Sequence, residues 1–98
     1  MVELTKTGQI GSISSYSIFI DKVYAGGLDL IIDSDKIFIE NIMKSSSYSG
    51  HGLLKQVVEF LSSRGYSLSC LPLPKYKNYY KTLGFKPKKN SIYEMNYC

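Results

Sequence analysis

The most regular hydrophobic pattern in the chain has helical spacing and lies just past its midpoint. Its apolar positions are Leu53, Leu54, Val57, Val58 and Leu61. Polar residues occupy the opposite stripe, and this arrangement predicts an amphipathic helix. Gly65 follows the last turn, where a left-handed C-cap favours glycine, and the Arg64 cation suits the negative end of the helix dipole.

Before this helix, shorter apolar runs between turn residues predict three strands. The first two are Tyr16–Asp21 and Leu28–Ile32, with a turn through Lys22–Gly27 between them. Ile37–Lys44 is apolar on both faces and is therefore expected at the centre of the sheet. The short turns predict an antiparallel meander, whereas Met1–Ser14 is weakly patterned and no element is predicted there.

After the helix, Leu68–Leu71 reads as a short strand that ends at Pro72 and Pro74. A strand–helix–strand unit normally makes a parallel pair with a right-handed crossover. This strand and Ile37–Lys44 are therefore expected to be parallel neighbours at the middle of the sheet.

The end of the chain predicts a second helix and a hairpin. The helix is Lys75–Leu83, stopped by Gly84, and the hairpin pairs Phe85–Lys88 with Ser91–Tyr97 around Lys89-Asn90. The predicted fold class is α+β, with a mixed sheet and two main helices. The 98 residues suffice for one core, so a single domain over 1–98 is expected.

Composition agrees with an ordinary globular domain, since 44% of the residues are hydrophobic and 20% are charged. No apolar run approaches the length of a membrane span. Two cysteines in so small a domain fit a reducing compartment. A soluble, cytoplasmic protein is therefore expected, and no metal site is predicted.

Charge is distributed unevenly along the chain. Residues 1–49 carry four lysines against six carboxylates, whereas residues 50–98 carry seven lysines and one arginine against two glutamates. The stretch from Lys75 to Lys89 holds six lysines, several tyrosines and no carboxylate. Such a stretch can bind a nucleic-acid backbone or another polyanion, or it can be a solvated surface, which is the commoner case.

The start of the central helix is a candidate anion site. Gly50 and Gly52 precede it, and free backbone N–H groups at a helix N-terminus, with the positive end of the dipole behind them, favour phosphate. Neither glycine has a Cβ, so an anion could approach the backbone closely. From spacing alone, a helix entry that merely needs flexible residues is the preferred interpretation.

The segment that contains these glycines resembles the signature region of the GNAT N-acetyltransferases. Ile39 and Glu40 match the start of the family's fourth strand, and the helix matches at a leucine pair occupied here by Val57 and Val58. The three positions of the family's (Q/R)-x-x-G-x-(G/A) motif fall on Ser49, Gly52 and Leu54. Ser49 and Leu54 depart from that motif.

A second segment, Asn78–Phe85 with the sequence NYYKTLGF, is similar to the family's F-Y-x-x-L-G-F. It places Tyr80 at the tyrosine that serves the family as general acid. Two motifs in the right order are more specific than either alone, and the resemblance covers roughly residues 15–97. It implies a GNAT-like sheet whose central parallel strands splay around acetyl-CoA.

The resemblance also implies which residues hold acetyl-CoA. The coenzyme would lie where the end of the strand at Ile42–Lys44 separates from Leu68–Leu71, with its pyrophosphate on residues 50–55. The implied cofactor-binding residues are Ile42, Met43, Lys44, Ser49, Gly50, His51, Gly52, Leu53, Leu54, Lys55, Asn78 and Tyr80. His51, the only histidine, is a phosphate donor or a solvated loop residue rather than a base.

The implied reaction is direct attack of an amine on the thioester. A backbone N–H near Ile42 or Met43 would stabilise the carbonyl oxygen, and the Tyr80 phenol would protonate the departing thiolate. Glu40 is a candidate base because it stands alone among apolar strand residues, where desolvation would raise its pKa. An exposed or lysine-paired carboxylate is the equally weighted alternative.

Departures from the family pattern leave other functions open. Leu73 replaces an Asn that contacts pantetheine, and the fifteen residues before Tyr16 leave almost no room for the family's first strand and two leading helices. The acceptor amine, a protein lysine or N-terminus among the candidates, and the oligomeric state, a homodimer included, are not identified. The alternatives are an inactive CoA-binding interaction protein and, less favoured, a small basic nucleic-acid-binding protein.

Overall fold

The computed structural model of the protein describes residues 1–50, 52–88 and 92–95. The strands are β1 (Val2–Ile10), β2 (Ile13–Ile20), β3 (Val23–Asp33), β4 (Lys36–Lys44), β5 (Ser67–Cys70), β6 (Lys86–Pro87) and β7 (Tyr93–Met95). The helices are α1 (Leu53–Ser62) and α2 (Lys77–Thr82), and a 3₁₀ turn over Pro74–Tyr76 leads into α2. The strands form one sheet in the order β1-β2-β3-β4-β5-β7-β6. The predicted α+β class, a mixed sheet with two main helices, is confirmed.

The N-terminal strand β1 is the element that the sequence pattern misses. It pairs antiparallel with β2 along most of its length, and only Val2 and Leu4 of the strand are removed from solvent to any extent. An edge strand needs few apolar residues because one of its sides and much of its surface face water. The prediction of no element over Met1–Ser14 is therefore wrong.

The turn between β2 and β3 is also shorter than predicted. It consists of Asp21 and Lys22 alone, both with positive φ (51° and 69°), as in a type I′ hairpin. The small residues after it belong to β3. Gly26 is buried there, and a Cβ added to it would overlap the Met43 carbonyl oxygen of β4. This glycine allows two strands to approach closely and does not form a turn.

The predicted parallel pair at the centre of the sheet is confirmed. β4 pairs in parallel with β5, from Lys36 opposite Ser67 to Ile39 opposite Cys70, and α1 supplies the crossover. β4 is flanked by β3 on its other side and is the fourth of the seven strands. It therefore lies at the centre of the sheet, as predicted, although only one of its faces is buried, at Ile37 and Ile39.

The core lies between one face of the sheet and the two helices. The predicted stripe of α1 is buried except for Leu54, which is half-buried. The buried apolar residues are Val2, Ile18, Ile20, Ala25, Leu28, Leu30, Ile37, Ile39, Leu53, Val57, Val58, Leu61, Leu68, Cys70 and Phe85. α2 adds Tyr80 and the loop after it adds Leu83, which both pack against this cluster. Within the described residues no helix covers the opposite face of the sheet.

The end of α1 has the C-cap that the sequence predicts. Gly65 has a positive φ of 87°, and its N–H donates to the Ser62 carbonyl at 2.9 Å. The Tyr66 N–H donates to the Leu61 carbonyl at 3.4 Å, which completes the Schellman pattern.

The closing hairpin is present in part. β6 and β7 pair antiparallel, and β7 lies between β5 and β6 in the sheet. The predicted turn at Lys89-Asn90 lies outside the described residues, as do His51 and Cys98. No helix among the described residues is long and apolar enough to cross a membrane.

Candidate active site

A cleft opens where the two central strands part. Pairing stops at Ile39 and Cys70, after which β4 continues to Lys44 while the chain after β5 turns away through the buried Pro72. The cleft has a volume of about 310 Å³. Its walls are formed by Ile39, Glu40, Asn41, Ile42, Cys70, Leu71, Pro72, Leu73, Tyr76 and Tyr80. The predicted separation of the strands toward their C-terminal ends is confirmed.

A β-bulge lies in β4 at the mouth of this cleft. Asn41 pairs with Asp29 and Ile39 with Leu30, so Glu40 is the extra residue without a partner in β3. A bulge shifts the alternation of side chains by one position, and as a result Ile39 and Ile42 both turn toward the core. The side of β4 that faces the cleft beyond Ile39 has no strand beside it, so its backbone polar groups are available to a ligand.

Glu40 does not have the buried surroundings predicted for it. Its side chain is exposed, although it lines the cleft wall. The bulge removes it from the regular alternation of the strand, whose buried residues are Ile37 and Ile39, and the prediction that burial desolvates this carboxylate is wrong. The alternative, an exposed carboxylate, describes Glu40, but at a bulge in a central strand rather than at an edge.

Tyr80 is half-buried on α2 and forms one wall of the cleft. Its ring packs edge-on against Phe85, with centroids 5.5 Å apart, and against Tyr79, with centroids 6.4 Å apart. Burial raises the pKa of the Tyr80 phenol, and the nearby Cys70 and Tyr79 raise it further. The phenol therefore keeps its proton at neutral pH and can donate it.

Cys70 lies opposite, at the last paired position of β5. The side chain is 2% exposed, and burial raises the pKa of the Cys70 thiol from 9.0 to about 12. At neutral pH the group is a thiol, and since the thiolate is the nucleophilic form, Cys70 is unsuited to covalent catalysis. Its predicted place as a small core residue is confirmed.

The N-terminus of α1 is the third feature of the site, besides the cleft and the side chains that line it. Its N-cap, Gly52, has a φ of 70° and makes no side-chain hydrogen bond to the helix. The first hydrogen bond of the helix joins the Gln56 N–H to the Gly52 carbonyl at 3.0 Å. The N–H groups of Leu53, Leu54 and Lys55, which precede Gln56, therefore have no acceptor within the helix. These three N–H groups point out of the helix end and can bind an anion.

Gly50 does not leave the open approach predicted for it. A Cβ added to Gly50 would overlap the ring and hydroxyl of Tyr48, and 2.8 Å would separate it from the ring atom Cε2. The Tyr48 side chain therefore occupies the space that the missing Cβ leaves. Gly50 therefore makes room for Tyr48, a residue of the same loop, rather than for a ligand.

A second cavity of about 260 Å³ adjoins the cleft between the two helices. It is lined by Ile42, Leu54, Tyr76, Tyr79 and Tyr80. Ile42 and Tyr80 belong to both cavities, so an elongated ligand could extend from the helix ends to the bulge. Among the described residues no group of three His, Cys, Asp or Glu side chains could hold a metal ion.

No family model matches the chain, and no curated protein sequence does. Solved structures do match. An acetyltransferase from Thermus thermophilus superposes with a TM-score of 0.63 at 17% identity over 87% of this chain and 64% of that one. A Bacillus subtilis acetyltransferase in complex with CoA gives 0.66 at 11% identity over all of both chains. A GNAT-family protein from Desulfovibrio desulfuricans gives 0.57 at 16% identity over 87% and 69%. This chain has the GNAT N-acetyltransferase fold.

The chain thus spans about two thirds of the length of several of these proteins and the whole of one. Within the GNAT fold, β1 is present and pairs directly with β2 through a turn at Gly11 and Ser12. The prediction that the family's first strand has almost no room is wrong, because a two-residue turn replaces the connection. No helix lies between β1 and β2, in agreement with the predicted lack of room for the two leading helices.

Of the predicted site residues, Glu40, Ile42, Leu54 and Tyr80 line the two cavities, and the others that the structure describes do not. Met43 and Lys44 are exposed at the end of β4, and Ser49 is exposed in the loop. Leu53 is buried in the core, so only its backbone faces the helix end. Asn78 is exposed and lines neither cavity.

Several cleft residues are absent from the sequence prediction. Tyr76 lines both cavities, and Asn41, Leu71 and Pro72 line the larger one. In the sequence, Pro72 indicates where the strand ends, but nothing indicates that Pro72 also forms part of the cleft wall. Tyr48 gave no signal, because its position depends on the conformation of the loop before α1.

Proposed function

We propose that this protein is an N-acetyltransferase that moves an acetyl group from acetyl-CoA to an amine by direct attack. The observation that carries the proposal is the cleft between β4 and β5, with the half-buried Tyr80 on its wall and the uncapped N-terminus of α1 beside the adjoining cavity. An unpaired strand edge, a protonated phenol and a helix N-terminus are the three donors that the reaction requires.

The residues present fit coenzyme A. The free side of β4 beyond Ile39 can pair with the amides of pantetheine, and the apolar walls given by Ile42, Leu54 and Tyr76 suit its methylene groups. The N–H groups at the start of α1 would bind the diphosphate, and Lys55 in the first turn adds a positive charge. The coenzyme, when bound, supplies a thioester carbonyl that an amine can attack.

The chain's own groups would then act on that thioester. A C–N bond forms as the C–S bond breaks, and the Tyr80 phenol donates its proton to the leaving sulfur. Burial raises the pKa of this phenol, so the phenol still carries its proton when the sulfur departs. Backbone N–H groups at the bulge around Ile42 would stabilise the negative carbonyl oxygen, which is typically worth ~3 kcal/mol per donor.

The amine must also lose a proton, and Glu40 is the carboxylate at the cleft wall. Because the side chain is exposed, water can reach it and can carry the proton from the amine to the carboxylate. We therefore assign Glu40 the role of proton acceptor, acting directly or through one water molecule. Cys70 takes no covalent part, since its thiol remains protonated.

The acceptor is proposed to be a protein amine, either a lysine or an N-terminus. On the sheet face opposite α1 and α2 the described residues include no covering helix, and β1 joins β2 by a turn alone. This face carries polar groups near the cleft, among them Ser15, which donates a hydrogen bond to Asp29 at 2.7 Å. An uncovered acceptor side admits a bulky partner.

Calorimetric titration with acetyl-CoA tests the first step, and the absence of binding would overturn the proposal. Incubation of the protein with lysate and isotope-labelled acetyl-CoA, followed by mass spectrometry, tests the second. Labelled lysines or N-termini are expected. Binding without labelling of any amine would favour the inactive CoA-binding alternative, which the short side chain of Ser49 and the bulk of Leu54 in the cavity support.

A further inference from the structure

Tyr48 folds back over the loop that leads into α1. Its ring fills the space beside Gly50 and also packs against the hydrophobic core. Its N–H donates to the Ser45 carbonyl at 3.1 Å, which fixes the backbone of the preceding turn. The ring is thus held by the core, by the turn and by Gly50, and its rotation is restricted.

The hydroxyl of Tyr48 lies at the backbone of Gly50, two residues before the N-cap Gly52. Among residues 1–50, 52–88 and 92–95, no group forms a hydrogen bond with this hydroxyl. The neighbouring Ser45 and Ser47 hydroxyls are hydrogen-bonded to each other at 2.8 Å, and Ser49 is exposed. Tyr48 is therefore a positioned donor with unused capacity at Gly50, in the loop that leads into α1.

We propose that the Tyr48 hydroxyl donates a hydrogen bond to the diphosphate of coenzyme A. This inference rests on the proposed function, and it adds a side-chain donor to the backbone donors of α1. In this chain Ser49 stands where the GNAT pattern has Gln or Arg, and its short side chain cannot replace them. Tyr48, one residue earlier, supplies a donor from a fixed ring, so little conformational entropy is lost when the anion binds.

Isothermal titration of the parent and of Tyr48→Phe with coenzyme A tests this role. Phenylalanine keeps the ring that packs on the core and on Gly50, and it removes only the hydroxyl. A hydrogen bond to a charged group typically changes a dissociation constant by roughly ten- to a hundredfold, and a weakening of that size is expected. Tyr66→Phe is the control, because Tyr66 is also half-buried against the core but lies beyond the other end of α1.

A second ligand identifies which phosphate the hydroxyl contacts. Dephospho-CoA retains the diphosphate and lacks the 3′-phosphate, so Tyr48→Phe should weaken its binding by the same factor. A loss seen with coenzyme A but not with dephospho-CoA would place the contact at the 3′-phosphate and overturn the assignment.

Gly50→Ala provides an independent test, since its Cβ would displace the Tyr48 ring. The variant should bind coenzyme A about as weakly as Tyr48→Phe, and the double variant should be no weaker than either single one. Thermal denaturation checks that each variant is folded. Equal affinity of the parent and Tyr48→Phe would reject the role of Tyr48 alone, whereas a parent that binds no coenzyme A would reject the proposed function as well.

Discussion

Two of the titratable side chains of the cleft, Tyr80 and Cys70, are held in their neutral forms by burial. Each has its pKa raised chiefly because the charged form would lose its solvation, and the pKa of Tyr80 is raised further by Cys70 itself. A neutral phenol is a proton donor, whereas a neutral thiol is a weak nucleophile. Burial therefore leaves the Tyr80 phenol with a proton to give and leaves Cys70 without the thiolate form that attacks.

The role proposed for Tyr80 predicts the effect of removing its hydroxyl. Tyr80→Phe keeps the ring that packs edge-on against Phe85, so folding and acetyl-CoA affinity should change little. Turnover should fall by roughly 10²–10⁴, the usual contribution of a general acid, where proton transfer limits the rate. Steady-state kinetics with an identified acceptor, together with calorimetry, provide the measurement.

The control for this variant cannot be the neighbouring Tyr79, because Tyr79 lines the second cavity. Tyr66→Phe is better matched, since Tyr66 is half-buried against the core and lines neither cavity. Unchanged turnover in Tyr80→Phe, with chemistry limiting the rate, would show that another group protonates the sulfur.

Cys70 predicts how stability depends on alkaline pH. Its pKa is about 12 in the folded protein and 9.0 as the reference for the unfolded chain, so unfolding releases a proton between these values. The contribution to stability is complete below pH 9 and is lost as the pH rises toward 12. One such group changes the free energy of unfolding by up to ~1.4 kcal/mol per pH unit.

Urea denaturation at several pH values between 8 and 11 measures this loss. Cys70→Ala should be less stable than the parent at neutral pH, because it leaves a small cavity in the core, but its stability should fall less steeply above pH 9. Parallel curves for the two proteins would mean that the Cys70 thiol does not titrate as its burial requires.

At the scale of elements, the N-cap of α1 has a positive φ, and within the part of the chain that the structure describes no side chain caps this helix end. Gly52→Asp would place a carboxylate among the N–H groups proposed to hold the diphosphate. Two like charges close together near a protein surface repel by about 1–4 kcal/mol, so acetyl-CoA affinity should fall roughly tenfold or more. Calorimetric titration measures the change.

Gly52→Asn is the matched variant for this test. Asparagine has the same shape as aspartate, and asparagine and aspartate both tolerate the left-handed conformation that the φ of 70° requires. It should lose much less affinity than Gly52→Asp. If the two variants bind equally, bulk or strain rather than charge is responsible, and if Gly52→Asp binds as tightly as the parent, the phosphate does not lie at this helix end.

The sequence correctly predicts the elements whose buried apolar residues form a recognisable pattern along the chain. α1 has one buried stripe, and β4 and β5 are short apolar runs on either side of it, so their parallel pairing follows from the crossover rule. β1 is missed because an edge strand buries too little to leave an alternating pattern. Its hairpin partner β2 is predicted in part, starting three residues late at Tyr16.

The candidate site is less predictable because it depends on departures from regular structure. The bulge that isolates Glu40 is a shift of register against β3, which depends on two strands at once. The close approach of Gly26 to Met43 likewise joins two strands, and the packing of Tyr48 on Gly50 depends on the conformation of an irregular loop. Tyr80 is identified from its motif, but its neighbours Tyr76 and Pro72 are known only from the fold.

At the scale of the whole molecule, positive charge is concentrated around α2. The lysines of this region that the structure describes are Lys75, Lys77, Lys81, Lys86 and Lys88. They lie in α2, in the turn before it and in or next to β6, and such a concentration of positive charge suits a polyanion, the phosphates of coenzyme A included. The nearby aromatic rings are engaged, since Tyr80 packs on Phe85 and the Lys75 ammonium lies 5.0 Å from the centre of the Tyr76 ring.

The arrangement of these lysines and tyrosines also predicts whether the protein binds nucleic acid. A single-strand binder needs aromatic faces free for base stacking along a basic groove. Here the rings of Tyr79 and Tyr80 pack edge to face, and Tyr76, Tyr79 and Tyr80 surround the second cavity. The lysines alone would give only non-specific attraction. We therefore expect no stable complex with RNA or DNA in a gel-shift series, even at low salt.

The dependence of binding on salt concentration distinguishes a nucleic-acid complex from an acetyl-CoA complex. A complex that does form through n phosphate contacts releases counterions, so its affinity should fall with a slope of about 0.7n to 0.9n against log salt concentration. Acetyl-CoA carries few phosphates and is also held by backbone and apolar contacts, so its binding should weaken far less between low and moderate salt. A retarded band at low salt that disappears steeply as salt rises, together with absence of acetyl-CoA binding, would favour a nucleic-acid-binding protein built on the GNAT fold.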